Sequence, residues 1–237
     1  MKHIGILIPA TNTVVENEVM KLCASSRNIL DSLSFHFSRI EIDAEYACDE
    51  NLFLDQLYNN RGKAYKMFKA IQMDALGFFC TSSELMSKNI NALSYETIDN
   101  ITCFNPLQSL IIASRLIKPT NILLFSPYSQ NTALFLEKTF FENGLNVVKN
   151  IYLNLKVDID KFEIEVAQEM IMNNLQSGVD LVVVSCTNFR TLELIEVIEK
   201  QTKIPVISSN QTLFWLICKQ FDFDYGVITK YRKLFSY

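Results

Sequence analysis

A chain of 237 residues, 49% of them apolar, is long enough to bury one large core or two modest ones. Its net charge of −4, with no block of like charges, argues against nucleic acid as a main partner and leaves small anionic substrates open. No segment approaches the roughly 20 consecutive apolar residues of a membrane span, and the opening MKHIGILIPATN is too short in apolar residues for an export signal, so the expected location is the cytoplasm.

In chain order, Ile4–Ile8 reads as a first strand, ending at Pro9 in a polar loop over 9–13. Leu33–Ile40 reads as a second strand, and Lys63–Gln72 as an amphipathic helix. Ala75–Phe79 is a third strand, running into Cys80, Thr81 and Ser82. Ile101–Phe104 is a strand followed by Asn105 and an apolar helix. Ile122–Phe125, Val147–Leu153, Leu181–Val184 and Val206–Ile207 are further strands. The helices among them are Thr132–Asn143, Phe162–Gln176 and Thr191–Gln201. Short, non-alternating apolar strands separated by helices indicate a parallel sheet covered on both faces.

The order of these elements recurs. DALGFFCTSSEL (74–85) matches DLVVVSCTNFRT (180–191), each an Asp, an apolar run, then Cys-Thr and a polar turn. ITCFNPLQSLIIA (101–113) matches IPVISSNQTLFWLIC (204–218), with helices led by Asn105 and Asn210. HIGILIPATNT (3–13) matches NILLFSPYSQNT (121–132). Cys80 and Cys186 are 106 residues apart and the two asparagines 105. Three matches in one order imply two similar α/β lobes. The expected division is 1–105 plus 210–237 for the first lobe and 106–209 for the second. Ligands in such sheets bind beyond the carboxyl ends of the strands. The loops at 9–13, 80–84, 126–131 and 186–190 all lie at such ends, so Cys80 and Cys186 would approach one cleft from opposite sides.

A lone cysteine is usually a small buried filler. That reading serves Cys23, Cys48, Cys103 and Cys218, while the repeat argues for chemistry at Cys80 and Cys186. A strand end feeding a helix N-terminus favours thiolate. Ser82 or Ser83 would cap a helix after Cys80, and Thr187 or Asn188 one after Cys186. Asn12 is a helix cap or a ligand contact, and Tyr128 a lobe cover or a ligand contact. Arg190 either pairs with a carboxylate bidentately or forms a salt bridge. Glu16, Glu18, Glu84, Glu193 and Glu196 read as helix surface charges. The C-terminal KYRKLFSY is a packed tail or a subunit contact. With only two histidines, no C-x-x-C, no G-x-G-x-x-G and no P-loop, neither a metal nor any cofactor is expected.

IGILIPATNTVVENE (4–18), CTSSEL (80–85), SPY (126–128) and SCTNFRTLELIEVIEKQTKIPVISSNQTLFW (185–215) resemble the maleate isomerase and arylmalonate decarboxylase group of the Asp/Glu racemase superfamily. The resemblance implies two Rossmann-like lobes with parallel sheets, related by a pseudo-two-fold, and an active site in the cleft between them. It also implies a homodimer. By resemblance, Cys80 and Cys186 are the catalytic thiols, and Asn12 and Tyr128 hold substrate carboxylates. Backbone amides around Thr81, Ser82, Thr187 and Asn188 hold a developing enediolate. The decarboxylases have glycine where this chain has Cys80, so the paired cysteines point to isomerase or racemase chemistry. The chain departs from the group at Ser83 and Glu84, where a glycine is common. It departs again at 157–167, where Asp160 and Lys161 stand in the stretch that carries an asparagine in maleate isomerases.

Two thiols on opposite faces permit two reactions. One thiolate adds to a carbon–carbon double bond, the single bond rotates, and elimination gives the trans isomer. Alternatively, a proton leaves one face of a carbon acid and returns on the other. The leading expectation is the first, a cofactor-independent isomerase of a small dicarboxylate with Cys80 as nucleophile. A racemase or epimerase of an acidic amino acid or related carbon acid is the second. An inactive two-lobed ligand-binding protein, with unreactive cysteines, is the alternative of another class.

Overall fold

The computed structural model describes residues 1–85, 95–223 and 232–237, with only the backbone of Glu84, Leu85 and Arg232. The first half runs β1 (Lys2–Pro9), α1 (Val15–Ala24), α2 (Arg27–Ser32), β2 (Leu33–Ile40), α3 (Glu50–Lys66), β3 (Ala75–Phe78), α4 (Thr81–Leu85), β4 (Glu96–Ile98), β5 (Ile101–Phe104) and α5 (Pro106–Ile117). The second half runs β6 (Ile122–Ser126), α6 (Gln130–Glu142), β7 (Val147–Tyr152), α7 (Ile164–Asn173), β8 (Leu181–Val184), α8 (Leu192–Thr202), β9 (Val206–Ser208), α9 (Ser209–Lys219) and α10 (Arg232–Phe235).

The strands form two sheets. The first has the order β2-β1-β3-β5-β4 and is parallel except for β4. The second has the order β7-β6-β8-β9 and is parallel throughout. Setting β6, β7, β8 and β9 against β1, β2, β3 and β5 gives the same order, which is the repeat read from the sequence. The unalternating strands follow from burial on both faces. In β1, Ile4, Ile6 and Ile8 join a core with α1 and α9, while Leu7 joins a second core with Leu57, Ala64 and Phe68.

The recurring aspartates have a structural cause. Asp74 accepts from the His3 backbone N–H at 2.9 Å and from Lys2 Nζ at 2.8 Å. Asp180 accepts from the N–H groups of Thr120 and Asn121 at 2.8 and 2.9 Å. Each ties the start of its own strand to the start of the central strand beside it. The repeated Asp therefore sets register, and only the far ends of β3 and β8 are left for chemistry.

Several elements differ from expectation. The helix expected over Lys63–Gln72 is α3, beginning at Glu50. Asp49 caps it by accepting from Asn51 N and Leu52 N at 3.0 and 3.1 Å. The polar run after Leu57 hides the buried stripe Leu54, Leu57, Ala64 and Tyr65. Strand β4 was not read at all. It pairs antiparallel with β5 through Asp99 and Asn100, both at positive φ (49° and 66°), as a tight hairpin turn requires. Asn105 caps α5, accepting from Gln108 N at 2.8 Å. Its supposed counterpart Asn210 does not cap α9, because Ser208 does, accepting from Gln211 N at 3.3 Å.

Helix α9 is buried along nearly its whole length and packs on α1, α5, β3, β5 and β9. Such an all-round buried helix belongs in a core. Of the C-terminal segment, residues 230–231 lie outside the described residues. The rest packs on α9 and β9, with Leu234 fully buried and Phe235 edge-on to Phe214 at 6.5 Å. Among the described residues no helix is long and apolar enough to cross a membrane.

Gly5 shows how closely β1 is packed. A Cβ there would meet Leu76 Cδ2 at 2.7 Å and Phe68 Cε2 at 2.9 Å. Gly5→Ala is expected to lower stability by about 1–3 kcal/mol through overpacking. Urea unfolding followed by circular dichroism measures it, and an unchanged midpoint would contradict the close packing.

Candidate active site

The carboxyl ends of β1, β3, β6 and β8 converge on one cavity of about 610 Å3. Asn12, Cys80, Thr81, Ser82, Tyr128, Cys186, Thr187 and Asn188 all line it. Strand β3 and its short continuation bring Cys80 to the wall from the first sheet, and β8 brings Cys186 from the second. Both thiols are nearly buried, 5% and 7% exposed. They are close enough that a charge on Cys80 disfavours ionisation of Cys186.

Cys186 is held in an unusual conformation. Its φ of 149° lies where L residues are strained, at a cost of order 1–3 kcal/mol that the surroundings must impose. Its N–H donates to Ser209 Oγ at 3.1 Å. The chain then turns, with Phe189 N–H reaching Cys186 O at 3.4 Å. The same turn aims the N–H groups of Asn188 and Phe189 at the sulfur. The helix α8 starts only at Leu192, so neither Thr187 nor Asn188 caps it as the sequence suggested.

Burial pushes the Cys186 thiol up to about 12. The Asn188 N–H opposes this, nearby Cys80 adds to it, and Tyr128 and the Phe189 N–H oppose it. At neutral pH Cys186 is therefore a thiol, with amide donors beside it that favour its ionised form. Tyr128 is also protonated. Burial and then the neighbouring Cys186 hold its phenol well above the usual value, and its hydroxyl lies 3.3 Å from Ser185 Oγ.

Cys80 sits immediately before α4, its sulfur 3.6 Å from Ser82 Oγ. Since α4 begins at Thr81, the serines lie inside the helix and do not cap it. Ser83 Oγ instead donates back to Cys80 O at 2.9 Å. Thr81 is buried and donates to Ser209 Oγ at 3.0 Å, so one serine joins the two cysteine segments. The side chain of Glu84 lies outside the described residues.

Asn12 lies just before α1, whose cap position is Val14, and on the cavity wall. Its Oδ1 accepts from Val14 N and Val15 N at 3.0 Å, fixing the loop that leads into α1. Its Nδ2 donates to Thr187 Oγ1 at 3.3 Å on the cavity wall. Thr187 Oγ1 in turn donates to Phe79 O at 3.0 Å, and Asn188 Oδ1 accepts from Thr13 N at 3.0 Å. The two strand-end loops are thus bonded directly to each other.

Other residues fall elsewhere. Arg190 lies outside this cavity and donates to Phe162 O at 3.0 Å. It lines a second, smaller cavity of about 270 Å3. Asp160 is on the wall of both cavities and accepts from Thr13 Oγ1 at 2.9 Å. Lys161 pairs with Asp158 at 2.6 Å. Glu18 is not a surface charge: it is 3% exposed, its carboxylate enclosed by Thr191, Leu192 and Asn210. Cys48 is not a buried filler but an exposed residue of the cavity wall.

Sequence reading missed three further features of this wall. Asn154 lines the cavity at φ 53°, in the loop between β7 and α7 and three residues before the stretch inspected for an asparagine. Phe53 adds an apolar side chain from α3. Glu50 crosses to the second half, accepting from Ser129 Oγ at 2.9 Å and Thr132 Oγ1 at 2.6 Å. The left-handed asparagine was detectable as a polar residue just past a strand. The other two depend on where α3 begins. Among the described residues no group of three or more His, Cys, Asp or Glu side chains is placed to hold a metal ion.

The Cys186 environment makes a measurable demand, because only thiolate alkylates. Site-resolved iodoacetamide labelling should accelerate about ten-fold per pH unit from pH 7 to 10 without levelling off. A plateau below pH 9 would contradict a thiol pushed up by burial.

Neither a model of a known protein family nor a curated protein sequence matches the chain. Solved structures do. A Pseudomonas putida S16 maleate isomerase variant with maleate is 18% identical, covering 93% of this chain and 92% of its own, with a TM-score of 0.83. A Nocardia farcinica maleate cis-trans isomerase variant with a covalently bound succinylcysteine intermediate is 17% identical, covering 100% and 99%, with a TM-score of 0.84. An unliganded arylmalonate decarboxylase is 16% identical, covering 100% and 99%, with a TM-score of 0.73. The chain has the α/β fold shared by the maleate isomerases and arylmalonate decarboxylase.

Proposed function

We propose that this protein is an isomerase of a small dicarboxylate, converting a cis-butenedioate such as maleate to its trans isomer without a cofactor. The observation that carries the reading is the pair of thiols, Cys80 and Cys186, brought from equivalent strands of the two sheets to one cavity. The similarity to enzymes of this chemistry, one of them carrying a succinylcysteine, supports it.

In this reading Cys80 attacks as thiolate. Its sulfur bonds to one alkene carbon, and the π electrons pass through the other carbon into the adjacent carboxylate as an enediolate. The former double bond is now single and rotates. The electrons return, the carbon–sulfur bond breaks, and the trans alkene leaves with Cys80 restored. No net proton is consumed. Cys186, held as a thiol by burial, faces the enediolate as a proton donor and gives it a hydrogen bond. Asn12 Nδ2, the Tyr128 hydroxyl and the amides around Thr81, Ser82, Thr187 and Asn188 hold the carboxylates and the developing charge. Asn154 is a further carboxylate ligand on the opposite wall. The chemistry needs no fixed cation, because neutral donors aimed into a partly dry site stabilise an oxyanion strongly.

The same two thiols also suit proton removal and return at a carbon next to a carboxylate. The protonated Cys186 favours that second reading as the acid of an α-racemase. Proton NMR in deuterated water, with maleate, methylmaleate, aspartate, glutamate and arylmalonates as candidate substrates, separates the possibilities. Fumarate or its methyl homologue should form, and Cys80→Ala should abolish this. Cys186→Ala should slow it by about 100-fold or more, in the range lost with a general acid. Near-wild-type turnover of maleate by either variant would rule the mechanism out. α-Deuterium exchange of an amino acid without cis–trans conversion would select the racemase.

A further inference from the structure

We infer that Glu18 is a positioning residue for Cys186, anchoring segment 186–192 so that the thiol and its amide donors face the cavity in a fixed arrangement. What Cys186 does there rests on the two-thiol reading above, whereas the anchoring is a matter of geometry alone.

Glu18 lies on α1 in the first half of the chain, and the groups it holds lie in the second half. Its Oε1 accepts from Thr191 N and, at 3.0 Å, from Leu192 N. Its Oε2 accepts from Asn210 Nδ2 at 2.8 Å. Thr191 Oγ1 lies 3.1 and 3.0 Å from the two oxygens. Asn210 Nδ2 also donates to Thr187 O at 2.9 Å. Thus both ends of the cysteine turn are fastened to one carboxylate, directly at 191–192 and through Asn210 at 187.

Helix capping alone does not explain this. A first turn is ordinarily satisfied by a Ser, Thr, Asp or Asn at the cap itself. Thr191 occupies that position in α8 and makes no cap bond of its own. A buried carboxyl group from another element takes its place at the expense of desolvation, which raises its pKa against the lowering effect of the Asn210, Leu192 and Thr191 donors. The expense is matched by a local need. Cys186 is held at φ 149°, and such a residue persists only where its surroundings over-determine it. The amide of Ser209's partner, Cys186 N, is fixed before the turn, Thr187 O at its start and Thr191 N at its end. With those points fixed, Asn188 N and Phe189 N have no choice but to face the sulfur. Helix α1 carries Glu18 in its first turns, and the loop just before it carries Asn12, which bonds to Thr187 Oγ1. Helix α1 and the loop leading into it therefore grip the turn at two places.

Glu18→Gln tests this with little change of shape. It keeps one acceptor oxygen for Thr191 N and Leu192 N and sets an N–H2 against Asn210 Nδ2, releasing the Asn210 arm. Hydrogen–deuterium exchange of amides 187–192 should accelerate about ten-fold, with β1 and β6 unchanged. With the best substrate of the NMR panel, kcat should fall by about 100-fold while KM stays within about two-fold, because misplacing a reacting group acts on the transition state. Thr191→Val, which replaces the hydroxyl by a methyl and breaks its bonds to Glu18 and Ser208 while leaving the Thr191 and Leu192 N–H bonds, should show the same pattern more weakly, and it decides the matter if Glu18→Gln does not fold. Unchanged exchange at 187–192, unchanged kcat in the folded variant, or a uniform rise of exchange across the chain would overturn the inference. If the wild-type protein converts nothing in the panel, the proposed function fails. Local exchange at 187–192 then still decides the role of Glu18.

Discussion

The strand-end loops of the two sheets are joined by a seam of hydrogen bonds, and the arrangement of the site depends on it. Thr187 Oγ1 sits at its centre, donating to Phe79 O and accepting from Asn12 Nδ2. Thr13 N bonds Asn188 Oδ1 on one side. On the other side Ser209 Oγ takes both Thr81 Oγ1 and Cys186 N. Apart from the exposed Thr13–Asn188 bond these groups are buried, and a buried donor left without its acceptor costs about 1–3 kcal/mol. The loops thus hold one another in place, and two thiols from sheets more than a hundred residues apart in sequence meet at one cavity.

Electrostatics follow from the same burial. The site walls present amides, hydroxyls and a phenol, while Glu50, Lys161 and Asp160 on the cavity wall are engaged with protein partners. Low exposure raises the cost of ionising Cys186 and Tyr128, so both remain donors at neutral pH. The amides of Asn188 and Phe189 do the opposite for Cys186, lowering the cost of its thiolate form. The result is a thiol that is costly to ionise at rest and faces amide donors on its own turn.

Much of this was legible in the chain. Leu33–Ile40, Ile101–Phe104 and Leu181–Val184 are strands over the residues read for them, and Leu181–Val184, buried on both faces, shows the unbroken apolar run that marks a central parallel strand. The two-fold recurrence of Asp, apolar run and Cys-Thr marked two equivalent strand ends, and the structure gives both sheets the same strand order. What escaped notice depends on tertiary context. Glu18 resembles any surface glutamate of an amphipathic helix until its donors arrive from 173 and more residues away. Asn210 matched Asn105 in position, yet a shift of two residues gives the cap to Ser208 and frees Asn210 to bridge Glu18 and Thr187. Strand β4 is three residues long and has mostly exposed side chains, so no periodic pattern could reveal it.

The division of labour between the two cysteines is the central claim, and covalent trapping tests it most directly. Wild-type protein and the Cys80→Ala and Cys186→Ala variants are incubated with maleate, quenched in acid and examined by intact-mass and peptide-mapping mass spectrometry. A substrate adduct on Cys80, enriched in Cys186→Ala and absent from Cys80→Ala, is the predicted result. An adduct on Cys186 in the wild-type protein, or undiminished adduct formation in Cys80→Ala, would contradict it.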